Sequence, residues 1–334
     1  MKLKRDVLKH PEIKAFICAV VIFSFLEGFL WILEINNLTE EPYLWGNRNF
    51  APYKINQCKR LFSDPQHKDK IKVVSVGDSV CLYAFNPYKF DEYYKNETIS
   101  YNLAIKGTSV RFQSFFIQKV IVPKIKPDVI IWQLKAPNDF CQYVAEEETW
   151  NMRSPMARYY LNDFQGMTLF EFFDQITIKL SRIYKYRYFF LPNFLNLDLP
   201  YKEDFEDYAD HPRGFKPKYL IYDDENETMR DHEFTSTFDE KVDDAFVSAI
   251  NFMENQKIDY LVVSGPYYFE RRIYKNADDL LDKLSDKNHL DLNGNEAFLD
   301  RDFFKDRNHL NFYGGQVFTH FISEKLDKIL KSRF

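Results

Sequence analysis

The fold turns on Ile71-Lys-Val-Val-Ser-Val-Gly-Asp-Ser-Val80. Its first half is a short β-branched apolar run, the signature of a buried strand. Gly77-Asp78-Ser79 then breaks the run, and helix-compatible residues follow. A serine on a strand-to-helix turn is held at a sheet edge, beside the unpaired backbone N–H groups of a helix start. Such a place suits a nucleophile, because the turn itself supplies part of an oxyanion hole. Gly-Asp-Ser is also ordinary turn chemistry. The remainder of the chain has to decide between the two.

Working outward, residues 98–104 (TISYNLA) read as a second strand, running into Ile105-Lys-Gly107-Thr-Ser109. A glycine directly after a strand allows close backbone approach. Residues 110–122 are apolar at helical spacing and are expected to stop at Pro123. A third strand, 128–134 (DVIIWQL), is nearly continuous in its apolar character, as in a sheet covered on both faces. After Lys135-Ala-Pro-Asn138-Asp139 the pattern is interrupted by an aromatic and charged insertion at about 140–240, loop-like over 200–236. It resumes with a helix at 239–256 and a strand at 258–264. Residues 276–302 are polar with Asp/Asn turns, and a helix from about 312 to 330 closes the chain. Strand and helix alternating at this spacing predict a parallel α/β sheet.

The chain has 334 residues, enough for a full core, and a net charge of -5 that excludes the basic footprint of a nucleic-acid-binding protein. Residues 1–14 form a basic tail containing Lys2, Lys4, Arg5, Lys9 and Lys14. Residues 15–35 follow as an apolar segment long enough to span a bilayer. Acidic residues lie beyond it, so the positive-inside rule puts the N-terminus in the cytoplasm and the rest outside. A cleaved signal peptide is the rival reading, but no small-x-small cleavage site follows. Glu27 lies inside this segment, where a carboxyl is costly. Two readings of it stand: packing against another membrane protein, or a place near enough to the outer surface to meet water or a proton. Residues 36–70 read as a tether, with the folded part beginning at 71. In the insertion, Phe170, Phe172, Phe173, Tyr184, Tyr186 and Phe189 are interleaved with Lys179, Arg182, Lys185 and Arg187. That pattern suits a membrane surface, a docking partner or a packed helical subdomain. Four cysteines make no disulfide framework; Cys81 and Cys141 are the one candidate pair, against the plainer reading of two small packing residues.

Four features stand in order: Gly77-Asp78-Ser79, Gly107, Asn138 and Asp306-x-x-His309. Ser79 hydroxyl needs a base within hydrogen-bond reach. His309 is the candidate base, in preference to His289 and His320, and Asp306 would hold its tautomer and charge. Developing negative charge would be met by the Ser79 and Gly107 N–H groups and the Asn138 amide. No Cys/His cluster or His-Glu-x-x-His motif suggests a metal, and no cofactor is expected.

In these four blocks the chain resembles the SGNH branch of the GDSL-type serine hydrolases, over roughly 71–140 and 258–330. The resemblance implies a three-layer, flavodoxin-like α/β/α domain at 71–334 with catalytic Ser79, His309 and Asp306 and an oxyanion hole of Ser79, Gly107 and Asn138. Two departures are visible: Val80 where the family's block ends in leucine, and Ala136 where glycine usually precedes the asparagine by two. A membrane-anchored, outward-facing domain of this type looks like envelope polysaccharide O-acetyltransferases and the teichoic acid D-alanine transfer protein. That likeness implies an acyl-Ser79 intermediate, a membrane-bound O-acyltransferase as partner and an envelope glycan or polyol polymer as acceptor. A tethered carbohydrate esterase or deacetylase, and a binding scaffold without chemistry, are the alternatives.

Overall fold

The computed structural model describes residues 10–35, 50–105, 108, 110–134, 173, 176–177, 180–185, 213–215, 219, 234–237, 240–266, 272–275, 284, 287–306 and 309–330. Its strands are β1 (Ile71–Val76), β2 (Thr98–Asn102), β3 (Val129–Leu134), β4 (Phe234–Thr237), β5 (Asp259–Ser264), β6 (Arg272–Lys275) and β7 (His289–Asp291). Five of them form one parallel sheet in the order β2-β1-β3-β5-β7. Setting aside β4 and β6, which pair only with each other, this is the 2-1-3-4-5 order of a flavodoxin-like doubly wound sheet. The strand order reverses beside β1, and the C-terminal ends there flank the crevice in which such sheets carry their sites.

Alternate strand residues point to opposite faces, and the apolar runs of β1, β3 and β5 supply both. On one face Val74, Val76, Ile130, Trp132 and Val262 meet α5 (Val110–Phe116) and α7 (Glu240–Asn255). On the other, Val73, Val129, Ile131, Leu261 and Val263 meet α3 (Ser79–Ala84), α4 (Pro87–Tyr93) and α8 (Phe312–Leu330). The domain is therefore a three-layer α/β/α sandwich.

Several elements differ from the expectation. Within the stretch read as a tether, α2 (Phe50–Ser63) is part of the core, with Ile55, Cys58 and Phe62 buried against Val120 and Ile125. Their i, i+3, i+7 spacing is the amphipathic signal that explains it, and the folded body already includes these residues ahead of 71. Pro123 does not stop the helix after α5. The chain continues as a π-helix over Ile117–Ile125, whose wider turn takes in the proline, and Lys126 closes it in a left-handed conformation onto the Ile121 carbonyl. The polar stretch 276–302 contains the edge strand β7, and the loop-like stretch 200–236 runs into β4.

At the N-terminus, α1 (Pro11–Ile35) is long and apolar enough to cross a membrane. Phe16 and Phe25 on it are 69% and 71% exposed, so it is not a core helix of the domain. Of the insertion, α6 (Arg182–Lys185) packs against α1, and Arg213, further along, lies beside β2.

Candidate active site

Ser79 opens α3 at the C-terminal end of β1, in the middle of the sheet. Asp78 caps that helix, its carboxylate accepting the Val80 N–H at 2.8 Å. The turn is tight: a Cβ on Gly77 would lie 2.5 Å from Cys81 Cβ and 3.1 Å from the Gln133 carbonyl. Only glycine lets the backbone pass between the nucleophile helix and β3. The Gly77 carbonyl also accepts from Ile105 N–H (3.0 Å) and Thr108 Oγ1 (3.2 Å), which ties the loop after β2 to the same turn.

His309 comes from the loop before α8, 230 residues away in sequence. Two buried asparagines hold these parts together. Asn311 caps α8, its side-chain oxygen accepting from Tyr313 and Gly314 N–H while its amide donates to the Asp302 carbonyl. Asn102, at the end of β2, donates to the Cys81 and Phe85 carbonyls and accepts from Ala104 N–H, which fixes the exposed carbonyl end of α3. Close approach of α8 to α3 completes the frame, since a Cβ on Gly315 would sit 3.0 Å from the Ala84 carbonyl.

The result is a continuous contact chain. Ser79 Oγ lies 2.8 Å from His309 Nε2, and His309 Nδ1 lies 2.8 Å and 3.0 Å from the two Asp306 oxygens. Asp306 also accepts the His309 backbone N–H at 2.9 Å, so one carboxylate sets both the loop and the ring. With Nδ1 donating to Asp306, Nε2 is left as the acceptor facing Ser79, the tautomer a general base requires. Ser79 and the His309 ring are only partly buried, so a substrate has access.

Two further residues frame the histidine. Tyr83 meets the His309 ring edge-on, centroids 5.1 Å apart, and Lys305 Nζ stands 3.7 Å over the Tyr83 ring and 3.4 Å from Asp306. Tyr83 was readable as the i+4 neighbour of Ser79 on one helix face. Lys305 thus places a positive charge beside the Asp306 carboxylate. Beneath the site, Lys54 of α2 is buried and donates to the Ala104 carbonyl at 2.7 Å. Burial lowers its pKa to about 7, partly offset by Cys81 and Cys58.

Gly107 and Asn138 lie outside the described residues, as does Cys141; Cys81 is a free, buried thiol whose pKa burial pushes up to about 12. His309 stands as the partner of Ser79, but the expectation that His289 lacks an aspartate three residues earlier is corrected. Asp286 stands three residues before His289 and Asp64 three before His67, so Asp-x-x-His occurs three times and the spacing does not select His309. The structure places His289 elsewhere: its Nε2 is 3.1 Å from Ser264 Oγ, a serine inside β5 that is 1% exposed. His320, on α8, is 3.3 Å from Glu324.

No protein-family model and no curated protein matches the chain. Among solved structures, it aligns with Axe2, an acetylxylan esterase from Geobacillus stearothermophilus. A catalytic mutant of that enzyme is 12% identical, with 77% of this chain and 92% of that one covered and a TM-score of 0.25. A second variant is 13% identical over 76% and 94%, with a TM-score of 0.26. Alignments this loose add nothing to the fold already read from the strand order.

Proposed function

We propose that the protein is a membrane-anchored serine acyl-transfer enzyme of the SGNH type, moving an acetyl or similar acyl group onto a cell-envelope polysaccharide or polyol polymer. The single observation that carries the chemistry is the Ser79–His309–Asp306 chain at the C-terminal edge of a doubly wound sheet. His309 Nε2 takes the Ser79 proton as Oγ attacks the acyl carbonyl carbon. The tetrahedral oxyanion is met by the Ser79 N–H and, in this reading, by Gly107 and Asn138. Collapse breaks the bond to the donor's leaving group, which departs with the proton from His309 and leaves acyl-Ser79. An acceptor hydroxyl then gives its proton to His309 and attacks the acyl carbon, and Ser79 leaves with that proton.

Support for an envelope acceptor comes from α1, which would hold the domain at a membrane, with the basic residues 2–14 on the cytoplasmic side and the domain outside. A membrane-bound O-acyltransferase delivering the acyl group from within would fit that arrangement. Water in place of the sugar hydroxyl turns the same cycle into that of a tethered carbohydrate esterase. A fluorophosphonate probe on wild type and Ser79→Ala tests the chemistry: labelling confined to wild type is expected, and an unlabelled wild type would leave a binding scaffold. Single-turnover release of acyl-Ser79 to a glycan hydroxyl against water then separates transferase from esterase. Release to water alone overturns the transferase.

A further inference from the structure

Glu27 has partners within its own chain. Its carboxylate accepts the Ser181 hydroxyl and the backbone N–H groups of Arg182 (2.8 Å) and Ile183 (3.2 Å), the first N–H groups of α6. Ser181 Oγ in turn accepts the Tyr184 N–H at 3.1 Å, and Ser181 N–H reaches the Thr177 carbonyl at 2.9 Å. Two liabilities cancel here. A carboxylate inside an apolar helix and a helix start with unpaired N–H groups are each costly away from water. In water neither would need the other. Together they form a charge-assisted cap.

The depth of this cap says what surrounds it. Glu27 lies six residues before the Leu33 end of the membrane-length stretch Pro11–Leu33, about 9 Å inside it at 1.5 Å per residue. On the insertion side, Leu180 is 75% and Phe173 57% exposed, beside a helix most of whose apolar side chains are exposed, Leu30 being buried. Leu180 immediately precedes the Glu27 partner Ser181, so it shares that depth. We infer that Phe173 and the stretch 180–185 are embedded in the leaflet on the folded-domain side, clamped to α1 by Glu27, with lipid acyl chains covering Leu180 and Phe173. This rests on α1 being the membrane anchor proposed above. Further along, the insertion is fastened to the catalytic body, where the Arg213 carbonyl accepts Asn102 N–H (2.9 Å) and its guanidinium pairs with Asp91. The insertion thus links the leaflet to the edge of the catalytic sheet, giving the domain a second membrane attachment besides its N-terminal helix.

The test uses the purified full chain in phosphatidylcholine/phosphatidylglycerol vesicles with no partner protein, and with Cys18 and Cys141 changed to serine. Single cysteines at Leu180, at Phe25 in the anchor and at Lys68 on the domain surface are labelled with a membrane-impermeant maleimide. Leu180→Cys is expected to resist labelling as Phe25→Cys does, while Lys68→Cys reacts freely. Glu27→Ala should raise labelling at position 180 by on the order of tenfold, through loss of the cap, and Glu27→Gln, which keeps an acceptor oxygen, by less. Labelling of Leu180→Cys at the Lys68→Cys rate with Glu27 intact overturns the inference, whether or not the Glu27→Ala chain folds. A Glu27→Ala chain still protected at position 180 overturns the clamp. If Phe25→Cys also reacts freely, the anchor itself is wrong, an outcome distinct from failure at position 180 alone.

Discussion

Among the described residues, two serine–histidine pairs stand on one sheet. Ser79 and His309 are 2.8 Å apart; Ser264 and His289 are 3.1 Å apart. Both histidines have an aspartate three residues earlier in sequence. What separates the pairs is where the serine stands. Ser264 is within β5, its hydroxyl buried and its backbone engaged in the ladder with Leu134 and Asp291. Ser79 stands past the end of β1 at the first turn of α3, where an attacking oxygen meets a substrate and helix N–H groups meet the charge that develops. The comparison teaches that a Ser–His contact alone does not make a nucleophile; in the function proposed above, the strand-to-helix turn supplies what the Ser264 pair lacks.

Four substitutions press on that contrast. Ser79→Ala should lower acyl turnover by on the order of 10⁵ and abolish fluorophosphonate labelling; retention of label on Ser264 would break the comparison outright. Asp306→Asn should cost less, on the order of 10³ in kcat, because its carboxylate is partly exposed and water stands in for some of its role, while the asparagine leaves the wrong tautomer facing Ser79. A pH–rate profile checks that the loss is in kcat. Gly77→Ala forces a Cβ against Cys81 and β3, and should destabilise by about 1–3 kcal/mol in a denaturant melt while slowing labelling of Ser79. Ser264→Ala should change labelling of Ser79 by less than about twofold, an effect within the range of a substitution with no shared partner.

Lys54 sharpens the contrast from below, since its amine supports the chain just past β2, next to the Ser79 turn. Burial lowers its pKa to about 7 from 10.5. The unfolded chain therefore binds more protons between those two values, so this group's contribution to stability rises as pH climbs from about 7 to 10.5 and is flat below. Lys54→Met should remove that rise. Urea midpoints of wild type and variant at pH 7 and pH 9 measure it, and parallel slopes would refute it.

The parts legible in sequence were those with strong local signals. The apolar runs of β1, β3 and β5 announce strands covered on both faces, and the stripe Phe318, Ile322, Leu326, Ile329 announces α8 over the bounds observed. α2 carried its own signal at Ile55, Cys58 and Phe62, masked by Pro52 and by polar neighbours. β7 carried almost none. At three residues, His289–Asp291, its identity as a strand comes from pairing with β5, not from its composition.

Sequence alone determined that a parallel α/β sheet would form and that Ser79 would stand on a strand-to-helix turn, because apolar periodicity and a Gly-Asp-Ser break are local properties of the chain. It determined the apolar helix α1 for the same reason. Which histidine meets Ser79 was a tertiary decision: the Asp-x-x-His spacing recurs, and only the packing of α8 on α3, through Asn311, Gly315 and Thr319, carries His309 across to it. Glu27 was decided the same way. Its cost in the apolar helix is visible in sequence, but the N–H groups that offset it lie 155 and 156 residues further along.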